Sequence, residues 1–128
     1  MLVLSTGKVE NLIDDAPDYA PGHSDNGHGF VIGHDNWRNQ ITGRKLSTPH
    51  RHITILDMKN DWIPGLHISM LADDERWVLM NFYGSKPAKG PFGGEILQVA
   101  TDGSQRVRRL AHHRTVAGND YWKIPSAN

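Results

Sequence analysis

An all-β fold of antiparallel four-stranded meanders is the class this sequence predicts, and three observations carry that reading. No stretch sustains an apolar period of about 3.6 residues, so no helix of useful length is written into the chain. Short β-prone runs recur instead, each closed by turn formers. The chain holds 13 Gly and 7 Pro in 128 residues, enough to end an element every few positions. Finally, one short word returns: Pro21-Gly22-His23-Ser24, then Pro64-Gly65-Leu66-His67-Ile68-Ser69. That spacing lies in the roughly 40–45-residue range of repeat units made of four strands.

The elements follow in order. Leu2, Val3 and Leu4 run into Ser5-Thr6-Gly7-Lys8 and then Val9, Leu12 and Ile13, a hairpin pattern over 2–13. Residues 14–22, DDAPDYAPG, read as a loop. Phe30, Val31 and Ile32 centre a strand over 28–34. The polar segment 35–51 reads as irregular, with a strand only around Gln40–Thr42. Ile53 to Met58 is β-rich, and Trp62-Ile63 returns beside it, so Ile53–Ile63 reads as an outer hairpin. The clearest unit comes next. His67–Leu71 is a strand, Ala72 to Glu75 a turn, and Arg76–Tyr83 a strand of β-formers. A Gly- and Pro-rich loop fills 84–94. A strand over 95–101, the turn signal Asp102-Gly103 and a strand over 106–112 complete the unit.

Bulk composition narrows the function. The length suits one domain. Lys plus Arg and Asp plus Glu are equal at 14, giving zero net charge, so no global field attracts nucleic acid or an anionic membrane. No partner of either kind is expected. The chain has no Cys, which excludes disulfides, thiolate catalysis and Cys-type zinc sites. No apolar run nears the ~20 residues of a membrane span. The N-terminal residues carry no signal-peptide pattern, so the chain is expected to be soluble; no compartment is implied.

The strings LHISMLADDERWVLMNFYG, GGEILQVATDGSQRVRRLAHHRT and YWKIPSAN resemble blades of bacterial β-propellers. They are similar to WD-like and Tol-Pal-type repeats and, more distantly, to oligogalacturonate lyase. Asp73 to Leu79 matches an inner hairpin and Glu95 to Gly103 an outer one. The likeness covers most of 60–128 and is weaker over 1–59. It implies a single domain of blade-like repeats: an outer hairpin over 1–20, blades over 21–63 and 64–113, and the opening of another over 114–128. Such propellers have several more blades than the two or so here. The chain is therefore expected to be a partial propeller or two packed sheets, and to complete its sheet stack as a homo-oligomer.

Histidine is the unusual residue, with eight in the chain. Neutral imidazole serves as metal ligand and general base. His23 and His67 hold matching places in the two Pro-Gly words and are expected to converge, either as strand-to-strand hydrogen-bonding groups or as ligands of a divalent metal. His50 and His52 share one side of an extended strand and are expected to be solvated. His112 and His113 point to opposite faces if extended. The candidate ligand contacts are His67, Arg76, His112, His113, Tyr121 and Trp122. Trp62 and Trp77 are expected in the core. Arg106 and Arg108 share a strand face, and Arg108 is expected in a surface ion pair. No Gly-x-Ser-x-Gly elbow, P-loop, His-Glu-x-x-His or EF-hand loop occurs, and no catalytic residue is assigned.

Two functions fit these residues. The first is a non-enzymatic propeller-like interaction module that binds a protein or carbohydrate through loops 84–94 and 113–120, with no cofactor. The second is a metal-dependent enzyme of the polysaccharide-lyase kind acting on uronate sugars, with histidines holding the metal. The lack of a complete catalytic constellation favours the first.

Overall fold

The computed structural model describes residues 2–9, 21–58, 65–83 and 92–115. Their structure is all-β, with no helix among the described residues; none is long and apolar enough to cross a membrane. Trp62, Tyr121, Trp122, most of loop 84–94 and the third blade opening lie outside the described residues.

A small hairpin pairs β1 (Leu2–Val3) with β2 (Lys8–Val9), antiparallel, Leu2 opposite Val9. Gly7 closes its turn at a φ of 67°, a conformation open to residues without a Cβ. Sheet one contains β3 (Pro21–Asn26), β4 (Phe30–Asp35), β5 (Gln40–Lys45) and β6 (His52–Asp57). Sheet two contains β7 (Gly65–Ser69), β8 (Trp77–Tyr83), β9 (Glu95–Ala100) and β10 (Val107–His112). Each sheet is an antiparallel meander in which strand order follows chain order, so short loops suffice to join neighbours.

Two expectations change in sheet one. Pro21 and Gly22, expected in a loop, open β3, and the strand expected around Gln40–Thr42 runs on as β5 to Lys45, with turns on either side. Two of its polar positions, Thr42 and Arg44, are buried: Arg44 is 6% exposed and its Nη1 donates to the Pro49 carbonyl at 2.9 Å. Gly43 lies mid-strand rather than in a turn. A Cβ there would stand 2.3 Å from Cζ of Phe30, so the ring requires a bare backbone. Ile53 belongs to β6, whose partner is β5; the return arm at Trp62-Ile63 expected to pair with it lies outside the described residues.

The core follows from strand alternation. On β8, Val78, Met80 and Phe82 are wholly buried, and Leu66, Leu97 and Val99 join them from neighbouring strands. Phe30, Ile32, Ile41 and Ile55 continue the same apolar cluster into sheet one. Burying a side chain such as Phe82 stabilises by about 1.5–3 kcal/mol.

Polar ties cross between the sheets as well. The Asp25 carboxylate accepts the Met70 N–H at 2.7 Å. The Glu75 carboxylate accepts the backbone N–H groups of His28 and Gly29. The Gln105 side-chain carbonyl accepts the Asp57 N–H at 3.1 Å. The ties through Asp25 and Glu75 hold the first strands, β3 and β7, side by side, and the Gln105 tie joins the end of β6 to the β9–β10 turn.

Candidate functional site

The two Pro-Gly words start β3 and β7, and each sets a histidine a few residues into its strand. Because those strands are neighbours, the His23 and His67 rings meet, with centroids 5.0 Å apart and planes inclined by 43°. Tyr83 flanks His67 at 5.1 Å and 33°. Its phenol lies over Gly65, where a Cβ would stand 2.4 Å from the ring. His23, His67 and Tyr83 thus form a continuous strip of rings along the seam between the sheets.

Below the strip sits His34 on β4, buried, its Nε2 3.3 Å from Oδ1 of Asn39. Asn39 holds a φ of 52° in the β4–β5 turn. That turn is organised by Asp35, whose Oδ1 accepts the N–H groups of Trp37 and Arg38 at 3.0 Å. Oδ2 of Asp35 pairs with the Arg38 guanidinium at 3.0 Å.

Electrostatics favour neutral imidazoles at His67 and His34. Burial pushes the His67 imidazole below its ordinary value of 6.5, and charge on His23 pushes it further. His34 is lowered mainly by burial, with His23 acting in the same direction. The Asn39 hydrogen bond and the Asp35 carboxylate oppose that shift. Neutral imidazoles offer a lone pair, an N–H and an apolar face. Such a strip suits the hydroxyls and C–H faces of a sugar. It also offers two nitrogen donors to a metal, one short of the three protein ligands of a catalytic zinc site. Among the described residues no group of three or more His, Cys, Asp or Glu is placed to hold a metal ion.

The remaining predicted residues lie elsewhere. Arg76 is in the β7–β8 turn, where its Nε and Nη2 donate to the Asp74 carboxylate at 2.7 Å. That guanidinium holds the Asp74 carboxyl down to about 2. His112 and His113 close β10, with ring centroids 6.1 Å apart. Nε2 of His113 stands 2.8 Å from the Phe82 carbonyl, and its backbone N–H donates to the Gly94 carbonyl at 2.8 Å. His112 lies beside Gly94. These contacts fasten the end of β10 across its own sheet. His50 and His52 are exposed.

Two expectations about aromatic and basic residues are overturned. Trp77 is not in the core: it is half-buried on the face opposite Val78. Arg108 makes no ion pair with a described residue; its guanidinium rests 3.8 Å from the Trp77 ring centroid. Register explains both. Trp77 stands opposite Ala100 on β9, too small to fill that space, so the indole reaches toward β10 and meets Arg108.

The sequence reading missed His34, Asp35 and Asn39 as a group. A signal was present in Asp35-Asn36-Trp37-Arg38-Asn39, because Asp and Asn at a strand end commonly cap the following backbone. Comparison with protein-family models, with characterised proteins and with solved structures returns no match.

Proposed function

We propose that the chain is a propeller-type, non-enzymatic interaction module that binds a carbohydrate at the seam between its two sheets. One observation carries this reading: equivalent histidines from two copies of one sequence word converge beside Tyr83. Repeated units that bring equivalent residues to a shared line create an extended binding surface without further chemistry. Sugars stack on ring faces and bond to the ring nitrogens and the phenol.

A second reading shares the same residues. In a uronate lyase, His23 and His67 would supply two ligands of a divalent metal. The test separates the two. The ¹⁵N-labelled chain is titrated with a neutral cello-oligosaccharide and with oligogalacturonate, while histidine side-chain resonances are followed. Saturable shifts at His23 and His67, weakened about tenfold in Tyr83→Ala by loss of one stacking ring, support the module. Shifts confined to other histidines, or none, defeat it. Unsaturated product appearing with oligogalacturonate and Mn²⁺, seen by ultraviolet absorbance, selects the lyase.

A further inference from the structure

The open face of sheet two carries a second assembly, distinct from the histidine seam. Trp77 on β8, Gln98 on β9 and Arg106 and Arg108 on β10 share a cavity of about 560 Å³ with the acidic turns at Asp74 and Asp102. From these residues we infer that the cavity binds a small monocarboxylic acid, with Arg108 and Gln98 as its donors.

The argument begins with how the charges are matched. Asp74 is engaged by Arg76 at 2.7 Å and Asp102 by Arg106 at 3.0 Å. Arg108 has no carboxylate among the described residues. Its only protein partner there is the face of Trp77. A guanidinium on an aromatic face is held in place by the ring quadrupole, and its N–H fork stays available at its edge. The cavity thus presents a fixed cation whose donors are not used by any described residue.

Neighbouring groups define the ligand. Gln98 stands directly opposite Arg108 in the ladder, so its amide can donate beside the guanidinium to a two-oxygen acceptor. Three guanidiniums against two carboxylates leave a surplus of one positive charge. Asp74 is held at about 2 chiefly by Arg76, and Asp102 at about 2 chiefly by Ser104 with Arg106 adding to it, so both remain ionised in ordinary buffers. They would repel a dianion such as phosphate. A single carboxylate matches both the surplus and the planar fork. Trp77, half-buried, gives the apolar part of the acid a wall.

The experiment titrates the ¹⁵N-labelled full chain with benzoate, with benzamide as the isosteric neutral control, and with inorganic phosphate. Benzoate is expected to move the Trp77 indole and Arg108 side-chain resonances saturably, with benzamide producing no such shift and phosphate binding more weakly. Arg108→Lys keeps the charge but loses the fork, and is expected to weaken benzoate about tenfold; Arg108→Gln is expected to remove saturation. Arg108 is exposed, and unchanged core methyl resonances verify the fold of both variants. His67→Ala is expected to bind benzoate like the parent, which separates this site from the histidine seam. Equal binding of benzamide, tighter binding of phosphate, or parental affinity in Arg108→Gln would overturn the inference.

Discussion

Sheet one and sheet two have the same strand order and the same antiparallel connections, yet they are held together differently. Sheet one buries His34, Asp35, Asn39, Thr42 and Arg44. It closes the β4–β5 turn and the β5–β6 loop with side chains pointing inward, Asp35 onto two backbone N–H groups and Arg44 onto the Pro49 carbonyl. Sheet two buries an almost entirely apolar face, and its β7–β8 and β9–β10 turns are closed by exposed pairs, Asp74 with Arg76 and Asp102 with Arg106. A four-stranded meander therefore does not prescribe its interior. Local turn chemistry and strand alternation set the path, and either polar satisfaction or apolar packing can fix it.

The sharpest way to break that contrast is to remove packing from sheet two. Phe82→Ala opens a cavity in the shared core, and a loss of about 3–5 kcal/mol is expected in chemical denaturation. A loss under about 1 kcal/mol would mean the face collapses around the gap and packs less tightly than its burial implies. Next in size is Asp35→Ala. It takes the buried, charged acceptor away from the Trp37 and Arg38 N–H groups and from the Arg38 guanidinium, and should cost about 2–3 kcal/mol, since bonds to a charged acceptor are the stronger kind. Its counterpart in sheet two, Asp102→Ala, removes an exposed pair and should leave the denaturation midpoint nearly unchanged. Equal losses for the two aspartates would erase the distinction drawn here.

The smallest expected effect is a pH slope carried by His34 and His67. Both sit below 6.5 in the folded chain, so the unfolded chain takes up protons first as pH falls. Stability is then full above about 6.5 and declines below it, levelling only once the folded-state values are passed. His34→Gln should flatten the slope of denaturation midpoint against pH. A slope unchanged in that variant would place the titration elsewhere.

Much of this architecture was legible in the chain. The Pro-Gly words mark strand starts, so the matching places read for His23 and His67 within them become matching places on β3 and β7. Asp102-Gly103 marked the β9–β10 turn, where Gly103 takes a φ of 80°. Legibility failed where a residue's role depends on which face it occupies. In residues 77–80, WVLM, both alternating sets are apolar, so nothing within that run says that Val78 is buried and Trp77 half-open; the neighbouring strands decide it. Failure in β5 had a different cause. Thr42, Gly43 and Arg44 look solvated, but the Phe30 ring above Gly43 and the Pro49 carbonyl beside Arg44 are supplied by distant residues or a folded loop. The histidine seam was half visible: its two matched rings could be read, while Tyr83 and the buried His34 came only with cross-strand register.

The sequential strand order also bears on how the chain folds. Every pairing inside a sheet joins neighbours in sequence, whereas the ties between sheets join residues 45 to 48 positions apart, Asp25 to Met70, Glu75 to His28 and Gln105 to Asp57. Short-range contacts cost little loop entropy and form early; distant ones must wait. The expected order is two meanders forming separately and then docking, with the docking step limiting the rate. Mutations at Asp25 and Gln105 should then speed unfolding or slow folding according to how much of the seam has closed at the barrier.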